Sequence, residues 1–455
     1  YTYGILLSSF AIMFGLGMGV FDTFFEHFIK NFPHIDTKAK EASVQSTITL
    51  CFVGGGVLAT LSAGPLYTRF GRYRMLMVML IIECIALIAL GYKSLYGLFM
   101  LRVVLGYTSC FWVALIPPMI KEIFPPFYAE RFAAFFGVFL SAGICCGYLF
   151  GFPWAQRWWR LSLMWPLIIQ LPKVVLFTGW FDMESPVYKI TRCKCWDKIR
   201  TNYEKLYTKD EANRLTWKTI NNAEKMGKPV TEKAREFFTR RFRTQIFLGV
   251  LLNLLHQLTG VSYFTLYITH VSKRLGMSHP TLFSFSYIFI RLGAAVLVIF
   301  ALKVFSKRML IAWGLFAQIA SHFLMIVGEA YHLSALRVLG PYLFAFAFAH
   351  SLSGPLHTYC ADIVPPKANP FCMFGQWLLI GLFAQASPFL LHRVGNLYML
   401  CFFEACTVIS TLLFITYSIP TEGKSREEII EEFAYIGYRP PDPVPLRSTK
   451  KSSNS

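Results

Sequence analysis

Long apolar runs alternate with short polar connectors along most of the chain. Each run approaches the roughly twenty residues that an α-helix needs to cross a bilayer. Six runs come before a polar block and six come after it: 4–26, 44–66, 75–93, 95–120, 132–152, 161–181, 244–269, 281–303, 309–328, 336–361, 370–391 and 396–418. The pattern predicts an all-α membrane protein with twelve transmembrane helices in two halves of six.

The same pattern divides the chain into four parts. The two helical halves cover residues 1–181 and 244–418, a polar linker covers 182–243, and a polar tail covers 419–455. Mixed charges in the linker are compatible with short amphipathic helices, which we expect on the cytoplasmic face. The tail from Tyr438 is rich in proline and polar residues, so we expect it to be partly disordered.

The placement of charge orients these predicted spans. Apolar residues make up 55% of the chain and charged residues 15%, and the formal net charge is +19. Lys and Arg are concentrated in the linker and in the connectors after the second and eighth spans. The positive-inside rule therefore predicts cytoplasmic connectors and termini in a multi-pass membrane protein. The plasma membrane is the default expectation for its location. The same placement argues against nucleic-acid binding, because the basic residues do not belong to a folded basic domain.

The cysteines do not indicate a metal site or disulfides, and the sequence contains no motif for nucleotide binding. Nine of the 11 cysteines lie in apolar segments, where cysteine behaves as a small hydrophobic residue. Cys193 and Cys195 alone provide too few ligands for a metal site, and no disulfide framework is implied. A phosphate-binding Gly-x-x-x-x-Gly-Lys-Ser/Thr motif is absent from the sequence, which argues against an ATP-driven pump. We therefore expect no metal, no cofactor and no catalytic residues.

The two halves show weak sequence similarity at corresponding positions. A basic turn follows the second span, at 64–74, and another follows the eighth, at 303–310. The fourth span ends with Glu122 before a proline pair, and the tenth ends with Asp362 before another. Matching features at matching places favour two structurally related halves.

Six short motifs occur in the order in which one transporter family carries them. They are Gly64…Arg69-Phe70-Gly71-Arg72, Arg102 with Pro117…Glu122…Pro125 and Arg131, Glu184-Ser185-Pro186, Gln257-Leu258-Thr259-Gly260, Gly354-Pro355 with Asp362, and "PTEGKSREEI" from Pro420. Over nearly its whole length the chain resembles the sugar porter branch of the major facilitator superfamily, which includes hexose facilitators and proton-coupled relatives. The resemblance implies the major facilitator fold and transport rather than enzymatic chemistry.

Charged residues of these motifs are expected at the cytoplasmic ends of helices. Opposite charges there can join the two halves when the inner side is closed, whereas the simpler explanation is retention of helix ends by positive charge. The predicted cytoplasmic gate consists of Arg69, Arg72, Glu122, Arg131, Glu184, Arg308, Asp362 and Glu422.

Span seven contains polar residues that suit a water-filled cavity. On one continuous helix His256, Gly260, Tyr263 and Tyr267 share a face. Such a face can bind hydroxyl groups and stack on a sugar ring, or it can be an aromatic stripe packed between helices. The resemblance favours the cavity, with Gln257 as the substrate hydrogen-bonding residue. The remaining substrate-binding candidates on this span are His256, Ser262 and Tyr263.

Several candidate positions depart from the family pattern. Phe139 and His357 stand where the family commonly has a glutamine and a tryptophan, and Gln376-Trp377 resembles its Asn-Trp. Arg291 lies in the middle of span eight, where a charge is costly and must face water, an acid or a substrate. These five residues complete the substrate-binding candidates, and Arg291 leaves an anionic solute open.

Span one carries an acidic residue, Asp22, that resembles one in proton-coupled sugar porters. Arg102 stands at the family position that partners it. A carboxylate and an arginine in a low dielectric can load and release a proton, or they can form a fixed ion pair. Asp22 and Arg102 are therefore the proton-coupling candidates.

The sequence predicts a secondary transporter for a small hydroxylated solute, with a monosaccharide such as a hexose as the best candidate. Its expected partners are that solute and the lipid bilayer, with protons as a further partner if transport is coupled. Three functions stay open: a facilitative carrier, a proton-coupled symporter of a sugar, polyol or small organic anion, and a non-transporting sugar sensor or scaffold.

Overall fold

The structure, a computed structural model, describes residues 1–30, 32, 37–91, 94–149, 159–186, 188–189, 196–225, 240–274, 278–364, 368–422, 428–429 and 432–433. Within these ranges every regular element is a helix and there is no strand, as predicted. The tail from Tyr438, Cys193 and Cys195 lie outside the described residues, as does the side chain of Asp22. The predicted disorder of the tail stays a prediction.

The helices before the linker lie in the six spans predicted for the first half. In chain order they are α1 (Thr2–Ser8), α2 (Ala11–Ile29), α3 (Lys38–Phe70), α4 (Arg72–Ala89), α5 (Leu95–Ile123), α6 (Pro126–Tyr148), α7 (Trp159–Met164) and α8 (Leu167–Gly179). The first and sixth spans are each divided between two helices.

Two short helices lie in the linker, and the remaining helices lie in the six later spans. They are α9 (Trp196–Glu204), α10 (Lys209–Lys225), α11 (Arg240–Leu258), α12 (Val261–Arg274), α13 (Pro280–Ala301), α14 (Lys307–Ala330), α15 (Ser334–Phe348), α16 (Pro355–Ile363), α17 (Asn369–Arg393) and α18 (Asn396–Tyr417). A π-helical turn, Ala349–Ser353, joins α15 to α16.

Length and hydropathy support a membrane location for this bundle. In the described residues, nine helical segments are long and apolar enough to cross a bilayer. Two shorter apolar helices, Leu167–Gly179 and Phe371–Ser387, occupy the predicted sixth and eleventh spans. The third predicted span is α4, which carries Arg72, Arg74 and Glu83. All twelve predicted spans therefore contain helix.

Helices of the first half approach each other closely through glycine. A Cβ atom added to Gly15 of α2 would overlap the carbonyl oxygen of Leu140 of α6, and one added to Gly106 of α5 would overlap that of Phe52 of α3. The glycines on the facing helices, Gly143 and Gly55, are equally close to backbone oxygens. Small residues allow this backbone contact, which is a common way of packing helices within membranes.

Buried apolar side chains form two large clusters. One consists mainly of residues before 184 and also takes in Trp377 and Ile380 of α17. The other consists mainly of residues after 245 and also takes in Ile144, Cys145 and Tyr148 of α6. Each half thus has its own core, and each core includes a few side chains from the other half.

One end of the bundle carries the linker, and we call it the linker face. Asn202 of α9 donates through Nδ2 to the carbonyl oxygen of Glu184, at 2.9 Å. The Glu184 carboxylate in turn accepts from the backbone N–H of Arg72, at 2.7 Å, at the first turn of α4. Gly71 just before this turn has φ of 101°, and a Cβ there would overlap Glu184 Oε2. Glycine is needed here because other residues rarely adopt this conformation.

Candidate functional site

Span seven is broken where its polar residues lie. Helix α11 ends at Leu258 and α12 begins at Val261, and Gly260 between them has φ of 87°. Tyr267 is also non-helical, with φ of −135° and ψ of 17°. The prediction that His256, Gly260, Tyr263 and Tyr267 lie on one continuous helical face is therefore wrong. The period of apolar residues predicts a helix over the whole span but does not reveal where that helix is interrupted.

The break brings together a group of buried polar side chains, which we call the span-seven cluster. Gln257 Nε2 lies 2.9 Å from His256 Nδ1, and Gln376 Nε2 of α17 lies 3.4 Å from the same nitrogen. Ser262 Oγ donates to Gln257 Oε1, although the two residues are five positions apart. The ring of His357 in α16 lies 5.1 Å from that of His256. Gln257 is only 2% exposed.

The span-seven cluster lies beside the boundary between the halves. Trp377, next to Gln376 on α17, packs edge-on against Phe14 of α2, with ring centroids 5.6 Å apart. It also lies 3.0 Å from the position that a Cβ of Gly56 in α3 would occupy. A change in how the halves pack would therefore move Trp377 and the neighbouring amide of Gln376.

Three further aromatic residues contact groups outside the span-seven cluster. Tyr263 donates through its hydroxyl to Asn396 Oδ1 of α18, at 2.9 Å, and its ring is 5.6 Å from that of Phe403. Tyr267 donates to the carbonyl oxygen of Ala384. Phe139 is half-buried and packs against the core of the first half. The structure does not group Tyr263 or Phe139 with the span-seven cluster.

Arg291 is buried in the interior of the second half. It is 5% exposed, and its Nη1 donates to Thr265 Oγ1 of α12, at 2.7 Å. Its guanidinium carbon lies 4.8 Å from the ring centroid of Phe348. The ring of His256 lies 5.0 Å from the same Phe348 ring. Phe348 therefore connects Arg291 with the span-seven cluster.

Arg102 is buried next to α2, the helix that carries Asp22. Its Nη2 donates to the carbonyl oxygen of Gly17 of α2, at 2.9 Å, and its guanidinium lies 4.4 Å from the ring centroid of Phe52. Arg102 also lines a small pocket that reaches Leu266 of the second half. Because the side chain of Asp22 is outside the described residues, a pair between Asp22 and Arg102 stays a prediction.

A charged group lies at the linker face of the first half. Arg72 Nη2 is 2.8 Å from Glu122 Oε1, and Ser185 Oγ donates to the other oxygen of Glu122. Ser185 N–H also donates to Glu184 Oε1, at 2.9 Å. The basic turn, the end of α5 and the segment after α8 are thereby joined. The side chain of Arg69 is exposed, and that of Arg131 is half-buried.

Four residues connect the halves at the linker face, and we call them the cross-half charges: Lys121, Glu130, Lys307 and Asp362. Lys307 Nζ of α14 lies 2.8 Å from Asp362 Oδ2 of α16 and 3.5 Å from Glu130 Oε1 of α6. Lys121 Nζ of α5 lies 3.7 Å from Asp362 Oδ1. Each half therefore supplies one cation and one anion to a shared group.

Two predicted gate residues of the second half, Glu422 and Arg308, form hydrogen bonds next to the cross-half charges. Glu422 accepts from the backbone N–H of Lys307, at 2.6 Å, and Arg308 Nε donates to Ser418 Oγ, at 2.9 Å. Sequence reasoning did not include Lys121, Glu130 or Lys307 in the gate. Lys121 and Lys307 directly precede the chosen Glu122 and Arg308, so the motifs indicated the right turns.

A second buried polar group occupies the first half, away from the span-seven cluster. Glu83 of α4 accepts from Trp112 Nε1 at 3.2 Å and Thr108 Oγ1 at 3.3 Å, both on α5, and also from Gln170 Nε2 of α8. Lys173 of α8 donates to the carbonyl oxygen of Ser9, at 3.3 Å. Lys173 lies near Glu83, but within the described residues the two form no ion pair of 4.0 Å or less. Sequence reasoning noted Glu83 without a role and did not consider Lys173.

The fold and its polar interior define a helical membrane transporter built of two halves. The sequence model of the family described as Sugar (and other) transporter matches residues 4–433. The chain belongs to this family, which confirms the resemblance to sugar porters. It also confirms the prediction that the chain is not an enzyme, because the family transports its substrates.

Individual relatives are distant. The probable high-affinity hexose transporter ght7 of Schizosaccharomyces pombe is 26% identical over 325 residues, which cover 66% of this chain and 60% of that protein. The facilitated glucose transporter member 3 of Canis lupus familiaris is 21% identical over 454 residues, which cover 93% of this chain and 90% of that protein.

A solved structure establishes the fold. The E. coli proton:xylose symporter XylE, solved with 6-bromo-6-deoxy-D-glucose, superimposes with a TM-score of 0.79 at 18% identity. The match covers 95% of this chain and 99% of that chain. The predicted major facilitator fold is therefore confirmed.

Proposed function

We propose that the chain is a facilitative carrier that moves a monosaccharide such as a hexose across the membrane by alternating access. The span-seven cluster is the observation that supports this proposal. His256, Gln257 and Gln376 place two amides and an imidazole in a buried position beside the boundary between the halves. Amides donate and accept hydrogen bonds, and sugar hydroxyls need both.

Contacts at the linker face can close the substrate site to one side of the membrane. In this structure the cross-half charges join α5 and α6 to α14 and α16. Separating the halves there would break these ion pairs. The span-seven cluster, which lies beside the boundary between the halves, would then become accessible to solute from that side. We assign the linker face to the cytoplasm, with both termini on that side and the plasma membrane as the location. We also retain halves at 1–181 and 244–418, a linker at 182–243 and a tail at 419–455.

Uptake of labelled hexoses by proteoliposomes tests the proposal. Facilitated transport should equilibrate, be inhibited by unlabelled hexose and be independent of an imposed proton gradient. Binding of a sugar without flux would instead favour a sensor or scaffold. An absence of both hexose flux and hexose binding would refute the proposal.

Gln257→Ala tests the role of the span-seven cluster. We expect a KM for hexose about 3- to 10-fold higher, because a neutral hydrogen bond contributes about 0.5–1.5 kcal/mol. Gln245→Ala is the matched control, since Gln245 is buried on the same helix outside the cluster. The assignment of Gln257 is wrong if both variants show the same KM or if Gln257→Ala leaves KM unchanged.

Proton-coupled symport is the second candidate, supported by the burial of Arg102 against the helix that carries Asp22. Symport would show as accumulation of sugar driven by an inward proton gradient. Asp22→Asn should then abolish accumulation while exchange of labelled for unlabelled sugar persists, because only the proton step requires a titratable group. If Asp22→Asn lowers only the yield of folded protein, Asp22 has a structural role.

A further inference from the structure

We propose that the hydroxylated solute of this site also carries a carboxylate, as a sugar acid does, and that Arg291 binds that carboxylate. This inference rests on the proposed function, because it concerns the same site beside the span-seven cluster. It extends the proposed substrate class from neutral monosaccharides to monosaccharides that carry a carboxylate.

Arg291 is placed where a charge is unfavourable without a partner. It lies in the middle of α13, within a candidate span, and is 5% exposed. Ionised residues at this depth are rare and mark pathways for substrates or ions. Within the described residues it contacts the hydroxyl of Thr265 and the ring of Phe348, and neither carries a negative charge. The guanidinium is therefore stabilised only in part by these groups.

Within the described ranges, no carboxylate forms an ion pair with Arg291. Its Nε is buried and has no hydrogen-bond partner among the described residues. A guanidinium donates in a planar fork that matches a carboxylate. A bound carboxylate would supply both the missing acceptor and the missing charge.

Arg291 is also connected to the groups proposed to bind hydroxyls. Phe348 contacts the Arg291 guanidinium and the His256 imidazole. His357, whose ring lies 5.1 Å from that of His256, has a buried Nδ1 without a partner in the described part of the chain. The imidazole of the span-seven cluster and the guanidinium of Arg291 therefore both lie beside the Phe348 ring. A neutral hexose would use the amides and leave Arg291 unpaired.

Uptake of D-glucuronate and D-glucose by proteoliposomes containing the wild-type chain tests the inference. The two molecules share a pyranose ring and differ at C6, which is a carboxylate in one and a hydroxymethyl group in the other. We expect D-glucuronate to be taken up and to inhibit D-glucose uptake at lower concentration than unlabelled D-glucose does. Uptake of D-glucose without uptake or binding of D-glucuronate would overturn this inference and leave the proposed function intact. Uptake of neither would overturn both.

Variants of Arg291 show whether it is the residue responsible. Arg291→Gln should lower kcat/KM for D-glucuronate at least about tenfold and change that for D-glucose less than about threefold, because only the acid uses the charge. Arg291→Lys should recover part of the loss. Lys303→Gln is the matched control, since it removes an exposed positive charge beyond the end of the same helix. Equal losses for both substrates in Arg291→Gln would overturn the inference.

A measurement on the wild-type chain covers the case in which Arg291→Gln does not fold. D-glucuronate should raise the unfolding temperature of the purified chain at concentrations where D-glucose does not, because a ligand stabilises the state that binds it. Stabilisation by D-glucose alone would overturn the inference.

Discussion

The buried charges in the first half make a quantitative prediction about stability. Glu83 is fully buried and Lys173 is 3% exposed, and Lys173 Nζ lies 4.2 Å from the ring centroid of Phe10. Lys173→Met keeps the long apolar stem and removes the ammonium. The Glu83 carboxylate would then retain its neutral donors but lose its opposite charge. Removing one partner of a buried ion pair costs about 3–5 kcal/mol, and we expect the lower end because those donors remain and because Lys173 and Glu83 are not in direct contact.

The free energy of unfolding of the purified chain in mixed detergent measures this effect. Lys173→Met should lower it by about 3 kcal/mol. Adding Glu83→Gln should recover most of the loss, because the double variant buries no unpaired charge. Lys209→Met, at an exposed position in the linker helix α10, is the control and should leave the stability unchanged.

Two outcomes would refute this reasoning. If Lys173→Met is as stable as the wild-type chain, the Lys173 ammonium does not stabilise the ionised carboxylate of Glu83. If the double variant is less stable than Lys173→Met, the carboxylate is stabilised by its neutral donors alone. Either outcome would assign the group to hydrogen bonding between α4, α5 and α8 rather than to charge pairing.

Two further predictions concern the linker face and the break in span seven. Lys307→Gln should weaken closure of the linker face, so a thiol reagent should label the buried Cys360 near that face faster than in the wild-type chain; an unchanged labelling rate would count against the gate. Gly260→Ala should destabilise the chain by about 1–2 kcal/mol from its positive φ alone, and its Cβ would lie 2.8 Å from Phe403. Thermal unfolding and the KM for hexose check this, with Gly293→Ala as the control because a Cβ there meets no atom within 4 Å; equal stability of the two variants would contradict it.

The spans could be predicted from the sequence because a helix in lipid must be apolar over a fixed length. That requirement acts on each segment independently of its neighbours. The breaks within spans could not be located in this way. Apolar residues recur on both sides of the break in span seven, and Gly260 within it is compatible with a helix as well as with a turn.

The pairs between distant residues were harder to predict than the residues themselves. Glu122 and Asp362 occupy matching places in the two halves, and this indicated where charges meet. Their cations differ, however: Glu122 pairs with Arg72 in its own half, whereas Asp362 contacts Lys307 and also Lys121 of the other half. Such pairs depend on which helices are neighbours, and a hydrophobic pattern does not contain that information.

The glycine contacts in the first half have a mechanical consequence. With no side chains between the backbones at Gly15 and Gly106, the paired helices are in direct backbone contact, which favours their moving together. A half packed in this way would rotate as a rigid body. A rotation of roughly 10° about one surface of a bilayer ~30 Å thick moves the opposite end by ~5 Å, about the width of a sugar ring. Small changes in the charges at one end could thus open a passage at the other.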